Sequence, residues 1–366
     1  MPKVARRTTT SLEIKLYDRD LSSSNLVENL TEKVQNLNFS TRLPGGFNLC
    51  KFRLKADLPE AWDWLTRRMF YRIVITDNQR TLWEGRLEDL GLEAGHADVV
   101  AYGYYANLRD VPFRTTKNQI WTTTVKDFLT AVCLQINSDQ SNIDDTNITV
   151  DLAADSSYLD IYPQILLNKL LPFGDSSNNQ WDFAIWEDRI PYLNARSITS
   201  VDWLTSLKDL SRFRLTHRGG DIWNSAYAVY DAAGIQRTAD ADDSDSQTKF
   251  NLTRQFVIPD LGTVAAGAAQ ASRDVWLEEH KDVRPRLENI VLGNQVSDSN
   301  GTPFPSFWIR AGEVVRIRDL VPASGDLDAV TRDSQRTYFI KETIYDVDKG
   351  TLRIVPDTQI TRLGAL

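Results

Sequence analysis

The sequence has little of what metal sites and disulfide frameworks are built from, with two cysteines, three histidines and two methionines among 366 residues. Cys50 and Cys133 lie far apart and match no metal-binding spacing, so we interpret them as two separate core thiols rather than a disulfide. Such sparse use of cysteine is typical of chains that fold in a reducing cytoplasm.

The histidines do not pair with each other or with a cysteine at the spacing that a helical zinc site needs. His96 falls in a predicted turn and His217 lies beside a glycine turn. His280 falls at a predicted helix end, where a cation suits the terminal carbonyl groups. These positions are typical of structural residues, and we predict no metal ligands.

Long apolar runs are also missing. No stretch approaches the ~20 residues of a membrane span, and the N-terminus lacks the apolar segment of a signal peptide. The Gly-x-Gly-x-x-Gly, P-loop and Gly-x-Ser-x-Gly motifs do not occur. Paired carboxylates for glycoside hydrolysis stay an open alternative, but no stretch singles out a pair. We predict no catalytic residue and no cofactor, and hence a protein that is not an enzyme.

The charge balance is acidic, with 42 Lys and Arg against 50 Asp and Glu and a net charge of −8. This balance argues against a tightly held nucleic acid, because phosphates are neutralised by a basic face. It allows DNA in transit, since an acidic wall repels a polyanion and a duplex would slide along it. Residues 1–10 carry three basic side chains without periodicity, and we predict a flexible basic arm there.

What the chain does contain is an ordinary globular composition, 42% hydrophobic and 25% charged, with ten tryptophans. Many tryptophans stand between polar residues, as in "WDFAIWED", "TLWEGR" and "DIWNSAY". This pattern favours half-buried sheet faces and protein interfaces, where a large ring packs while its N–H finds a partner.

Residues 11–112 alternate apolar and polar side chains with the period of two that is typical of half-buried strands. Turns rich in Gly, Asn and Asp separate short strands at intervals of about ten residues, which predicts a first β domain, a small antiparallel barrel or sandwich. The apolar faces are Leu12, Ile14 and Leu16 in the first strand and Cys50, Phe52 and Leu54 in a later one.

Residues 113–200 are predicted to form a middle α+β domain. "TTTVKDFLTAVCLQIN" has the apolar spacing of a helix, "YPQILLNKLLPF" predicts a second short helix, and "QWDFAIWED" predicts a strand. The apolar face of the first helix consists of Val125, Phe128, Leu129, Val132, Cys133 and Ile136.

Residues 201–366 are predicted to form a second β-barrel domain with helices at about 202–211 and 261–280. The second helix is long and rich in alanine, and its strands include a final hairpin turned at Asp348 to Gly350. The predicted fold class is therefore mainly β with an α+β insertion: two small β-barrel domains, a middle α+β region and a long Ala-rich helix. The buried face of that helix is predicted to contain Val264, Ala268, Ala271 and Val275.

The run "GIQRTADADDSDSQTKF" raises the question of a calcium loop. Asp240 and Asp242 match the first two ligand positions of an EF-hand loop. Asp245 stands where the sharp turn needs glycine, and Asn251 stands where the bidentate glutamate belongs. A different kind of calcium loop stays open, but clustered like charges favour exposure, and we predict a solvated loop over residues 239–246.

The order of features after Asp221 resembles that of phage tail hub proteins. In "DIWNSAYAVYDAAGIQ", Asn224 opens an aromatic strand that ends at Asp231 and the turn glycine Gly234. A polar loop, Phe250, the Ala-rich helix and the strand "GEVVRI" follow in the same order. The segments "GGFNLCKFRL", "AWDWL", "YRIVITDNQRTLWEGRLEDL" and "WDFAIWEDRIPYL" resemble earlier parts of the same family. Asn251 departs from the pattern, since glycine is expected there.

The resemblance implies a structural virion protein, the central hub of a bacteriophage tail tip or baseplate, made in the host bacterial cytoplasm. It implies a homotrimer whose six β-barrels surround a channel for DNA. Its partners would be the tail tube or distal tail protein, the tape measure protein and a central fibre or spike. Since the sequence ends at Leu366 without a spike-like repeat, the fibre is expected to be a separate protein. The alternatives are a virion receptor- or carbohydrate-binding protein and a hydrolase.

Overall fold

The computed structural model is mainly β, with few helices. None of the helices in the described part of the chain combines the length and apolar character that a membrane span requires. The basic arm, Cys133, His217 and nearly all of the first predicted helix of the middle region lie outside the described residues. The described residues are 12–19, 25–78, 80–93, 95–113, 126, 129, 136–137, 139–144, 160–171, 180–196, 200–216, 220, 222–259, 261–281, 286–320 and 336–357.

The N-terminal region is an antiparallel sheet in which neighbouring strands follow the order β2-β1-β5-β6-β7-β4-β3. Among the described residues β2 pairs with β1 alone, so these strands do not close on themselves. The elements are β1 (Glu13–Tyr17), β2 (Leu26–Asn29), β3 (Val34–Arg42), β4 (Gly45–Lys55), α1 (Leu58–Arg67), β5 (Arg72–Thr76), β6 (Thr81–Glu93) and β7 (His96–Tyr102).

The predicted alternation in this sheet is confirmed. Ile14 and Leu16 of β1 are buried, and Cys50, Phe52 and Leu54 of β4 are buried between exposed or half-exposed neighbours. Helix α1 interrupts the β run and was not predicted. It begins because the Asp57 side chain accepts a hydrogen bond from the Glu60 N–H at 2.9 Å, which caps the helix N-terminus.

The middle region joins the N-terminal sheet through a short parallel pairing. Gly46 of β4 lies opposite Ile185, and the predicted strand and short helix are both present. The helix packs its Leu166 and Leu167 against Phe183 and Leu193 in a second core. The elements are α2 (Pro163–Leu170), β8 (Trp181–Ile185) and β9 (Pro191–Ala195).

The C-terminal region returns to β structure, and the helix predicted at about 202–211 is wrong. Trp203–Thr205 is a strand instead, followed by a 3-10 turn at Leu207–Asp209 and a second strand. Burial of Trp203 and Thr205 between two partner strands outweighs the local helix signal, because tertiary pairing overrides propensity. The elements are β10 (Trp203–Thr205), β11 (Leu210–Thr216), β16 (Arg286–Leu292), β17 (Gln295–Asp298), β18 (Pro303–Pro305), β19 (Val314–Ile317), β20 (Thr337–Asp346) and β21 (Thr351–Asp357).

A second, four-stranded sheet is built around the predicted strand β12, with β13 and β14 antiparallel to it and β15 parallel. The Ala-rich helix α4 packs on this sheet and begins at Ala266, later than predicted. Its predicted inner face is confirmed at Ala268, Ala271 and Val275, which are buried; Val264 is also buried but lies before the helix begins. The elements are β12 (Ser225–Asp231), β13 (Ile235–Arg237), β14 (Ala241–Asp242), α3 (Ser244–Phe250), β15 (Gln255–Ile258) and α4 (Ala266–His280).

The acidic run is not a loop throughout. It ends in helix α3, which Asp243 caps by accepting the Ser246 N–H at 2.8 Å. Asp243 also forms an ion pair of 2.9 Å with the buried Lys281. The helix ends at Asn251, whose φ of 47° and ψ of 43° place it in the left-handed region. Glycine suits this position best and asparagine tolerates it, which explains the one departure from the hub pattern.

Replacing Asp243 with alanine should lower the free energy of unfolding by about 1–2 kcal/mol, because the helix cap and one of the two ion-pair partners of Lys281 are lost together. Asp240→Ala, at an exposed position nearby, should change it by less than about 0.5 kcal/mol. Chemical denaturation of both variants measures the difference. Equal effects would mean that the run acts only through its total charge.

Among the described residues the two β regions, together with β8 and β9 of the middle region, form one continuous sheet of 17 strands, in which β3 pairs with β20. Thr41 lies opposite Thr343, and their hydroxyl oxygens are 2.6 Å apart in the interior. The largest hydrophobic core contains residues from both ends of the chain, such as Phe39 and Tyr345, whose rings are 5.5 Å apart.

Candidate assembly surface and its supporting contacts

The residues weighed for chemistry on sequence grounds do not come together in the described part of the chain. Cys50 is buried, and its burial raises the pKa of the thiol, so it stays protonated and inert. His280 ends α4, stacks on Trp276 at 4.1 Å, and has its Nδ1 atom 2.7 Å from the Trp276 carbonyl oxygen. His96 begins β7, where it lies opposite Lys55 of the neighbouring strand β4.

The strongest polar cluster was not predicted and joins the middle region to the last strand. Arg196 donates two hydrogen bonds to Asp182 of β8, at 2.7 and 2.8 Å, and one to Asp357 of β21, at 2.9 Å. Its guanidinium also lies over the Phe339 ring, 4.1 Å from the centroid. Although burial opposes the charge, the two carboxylates raise the pKa of Arg196, so the cluster stays ionised.

A cavity of about 360 Å³ lies beside this cluster, where four parts of the chain meet. Asp182 and Arg196 line it from the middle region, Trp276 from α4, Leu43 from the β3–β4 turn and Lys341 from β20. These contacts hold the regions in one arrangement, which a part of a larger assembly requires.

Glu84 is a second buried charge at the contact between β6 and the middle region. Its side chain is 3% exposed, on a strand position opposite Val74. Burial raises the pKa of Glu84, with Arg72 opposing the shift. Ionising this group in the folded protein therefore costs more than in the unfolded chain.

A variant with Glu84→Gln should be more stable than the wild type at pH 8, with the gap closing toward pH 4. The wild type loses stability as the pH rises from the ordinary glutamate pKa of ~4.3 through its raised folded value, since the folded state holds the proton more tightly. The amide does not titrate. Melting temperatures from pH 4 to 8 measure the gap, with the exposed Glu32→Gln as control. A gap that is constant or grows toward low pH would contradict this.

Aromatic side chains are partly buried as predicted at Trp186 and Trp223, whereas Trp83 and Trp181 are fully inside. Around Trp223 the rings form a ladder: Trp223 meets Phe256 edge-on at 5.3 Å, Phe256 stacks on Trp276 at 4.2 Å, and Trp276 stacks on His280. This half-buried ladder fixes α4 on the four-stranded sheet.

The clearest exposed apolar surface is on α1. Leu58 is 69% exposed and Trp62 is 57% exposed, and a spacing of four residues puts them on one helical face. The neighbouring edge strand β2 exposes Leu26 and Val27. Exposed apolar side chains on one face, as at Leu58 and Trp62, mark interaction sites. We name Leu26, Val27, Leu58 and Trp62 the α1–β2 surface.

An ion-pair network holds α1 against β2. Glu28 of β2 accepts from Lys33 at 2.7 Å and from Arg68, which follows α1. Lys33 also donates to Glu60 of α1 at 2.7 Å, and Arg68 donates to Asp63 at 3.1 Å. The opposite charges lower the pKa of Glu28 against the effect of burial, which keeps the network ionised. The α1–β2 surface is therefore held in place before any partner binds.

Comparison with solved structures places this fold. The 43 kDa tail protein of prophage MuSo2 from Shewanella oneidensis superposes with a TM-score of 0.58 at 12% identity, over 95% of this chain and 98% of that one. The chain has the fold of phage tail proteins. The tail protein from Neisseria meningitidis MC58 gives 0.58 at 10% identity, over 95% and 97% of the two chains. Prophage tail protein gp18 from Listeria monocytogenes EGD-e gives 0.57 at 12%, over 95% of each.

No protein-family model and no curated protein sequence matches the chain. The resemblance to phage tail proteins that was drawn from the order of short motifs is confirmed as a likeness of fold. The Arg196 cluster and the α1–β2 surface were not predicted. The Arg196 cluster has no sequence signal, because Asp357 is 161 residues away from Arg196 in sequence. The α1–β2 surface did have a sequence signal, which is the capping pattern Asp57-x-x-Glu60 ahead of two tryptophans.

Proposed function

We propose that this protein is a structural component of a phage tail tip, where it forms the central hub. The observation that carries the proposal is a tail-protein fold that extends over 95% of this chain and at least 95% of three tail proteins. In this proposal the chain performs no catalysis. It works by assembly, in the virion, after synthesis in the host bacterial cytoplasm.

The proposed assembly is a homotrimeric ring, in which the N-terminal and C-terminal β regions of three chains form six barrel-like units around a channel. The continuous β3–β20 pairing supports it, because both β regions of one chain then move as one body. Closed symmetry makes the ring the working unit. The acidic net charge of −8 suits a wall along which DNA passes without binding.

The proposed partners are the tail tube or distal tail protein on one side of the ring and a central fibre or spike on the other, with the tape measure protein in the channel. In this arrangement residues 11–112 and 201–366 are the two ring-forming domains and residues 113–200 the domain between them. The α1–β2 surface is the proposed contact between neighbouring chains, since aromatic anchors are enriched in such contacts.

Light scattering tests the proposal. The particle formed by the purified chain, alone or mixed with its tail partners, should contain three copies of the 41.6 kDa chain. Trp62→Lys should reduce this mass without lowering the melting temperature, because Trp62 is exposed in the single chain. Ile235→Lys, at an 85% exposed position on the β12–β13 hairpin, is the matched control and should stay trimeric. A monomer under all conditions would overturn the hub proposal.

A further inference from the structure

The end of the β6–β7 hairpin carries three potential metal ligands on one face. Glu93 lies directly opposite His96 in the antiparallel register, and Asp98 follows His96 by two residues. Since side chains alternate between the faces of a strand, His96 and Asp98 point the same way, and Glu93 joins them from across the hairpin. The residue opposite Asp98 is Gly91, which has no side chain to fill the space between them.

The distances within this group suit one small cation. His96 Nε2 is 2.9 Å from Glu93 Oε2 and 4.0 Å from Asp98 Oδ1, and all three ligand atoms lie within 4.8 Å of one another. Ligands that coordinate at about 2.0–2.2 Å stand about 3–4 Å apart around the ion. Glu93 is 59% exposed, so its flexible side chain can close the remaining difference.

The imidazole nitrogen is the feature that points to a ligand. His96 Nε2 is shielded from solvent and makes no hydrogen bond, although it lies 2.9 Å from Glu93 Oε2. A shielded polar atom without a hydrogen bond is costly. A cation between the nitrogen and the two carboxylates removes that cost. Arg53 donates to Asp98 Oδ1 at 3.1 Å and so holds this carboxylate in place beside the imidazole.

We propose that Glu93, His96 and Asp98 bind one divalent transition-metal ion of the Zn²⁺ class, with water completing the coordination. Imidazole together with carboxylate oxygen is a donor set for Zn²⁺, Co²⁺ or Ni²⁺. Ca²⁺ and Mg²⁺ prefer oxygen ligands alone, which this group does not offer. The ion ties the two strands together at the turn end of the hairpin, on a different element from the α1–β2 surface.

Isothermal titration of the metal-free full-length chain with ZnCl₂ tests the site. The wild type should bind one Zn²⁺, and His96→Ala should weaken binding at least tenfold or abolish it. Glu93→Gln should weaken it as well, and because Glu93 is exposed this variant stays folded if His96→Ala does not. His280→Ala is the matched control and should bind like the wild type. CaCl₂ should give no binding at the same concentrations.

Co²⁺ provides an independent readout, since the visible absorption of the bound ion reports nitrogen and oxygen ligands. This band should appear with the wild type and be absent with His96→Ala. Loss of zinc binding in His280→Ala with retention in His96→Ala, or equal binding by all variants, would overturn the assignment. The mass measured by light scattering is a separate quantity, so failure of the metal site and failure of the hub proposal are distinguishable.

Discussion

Replacing Arg196 with methionine should lower the free energy of unfolding by about 3–5 kcal/mol, the largest loss expected from any single side chain outside the hydrophobic cores. Methionine keeps much of the volume but leaves Asp182 and Asp357 buried without their shared cation. Their side chains are 17% and 8% exposed, so water replaces the lost partner only in part. Equilibrium denaturation in urea measures the change.

Two further variants distinguish the cost of leaving two buried carboxylates without a cation from the cost of lost packing. Adding Asp182→Asn and Asp357→Asn to Arg196→Met removes both buried charges with little change of shape, and should restore a large part of the stability. Lys349→Met is the control for a surface pair, since Lys349 is 75% exposed beside Asp346, and it should cost less than about 1 kcal/mol. A loss in Arg196→Met no larger than in Lys349→Met would refute the buried-charge account.

Gly46→Ala should destabilise the protein by about 3 kcal/mol or more, and should separate β8 from β4. A Cβ atom at Gly46 would lie 2.2 Å from the Ile185 carbonyl oxygen and 2.7 Å from its nitrogen, both backbone atoms that cannot turn aside. The φ of +90° adds strain for any other residue. Near-ultraviolet circular dichroism provides a local readout, because Trp186 packs edge-on against Phe47 at 5.2 Å beside this pairing.

Gly267→Ala is the matched control within the same chain. A Cβ atom there meets nothing within 4 Å, and the position lies in helix α4, where alanine is favoured over glycine by up to about 1 kcal/mol. This variant should be as stable as the wild type or more so. A Gly46→Ala protein with wild-type stability and an unchanged Trp186 signal would show that β4 and β8 do not pair as closely as described.

Strands with one buried face were predictable because the signal is local. The alternation at Ile14 and Leu16, and at Cys50, Phe52 and Leu54, follows from a period of two that needs no knowledge of the partner strand. The inner face of α4 was predictable for the same reason, from the spacing of its alanines and valines. The expectation of two small β-barrel domains is not confirmed, and the pairing of β3 with β20, strands about 300 residues apart, had no local signal.

Short elements were predicted less well. Asp202 to Ser211 has the apolar spacing of a helix, yet Trp203–Thr205 inserts between β17 and β19 because two strand partners bury Trp203 more fully than a surface helix would. Conversely, α1 and α3 were missed although each has a capping aspartate, Asp57 and Asp243. Asp57 lies within a region predicted to be β structure, and Asp243 lies within a segment predicted to be a solvated loop, so neither was interpreted as a helix cap.

The sequence by itself determined the strand and helix faces, the scarcity of ligands for chemistry, and the order of motifs that resembles phage tail proteins. Only the tertiary structure decided which charges meet. Arg196 with its two aspartates, and Glu93 with His96 and Asp98, depend on strand register, and a shift of one residue would turn each side chain to the other face. Strand register is set by the packing of the whole sheet, so it cannot be predicted from the local spacing of residues.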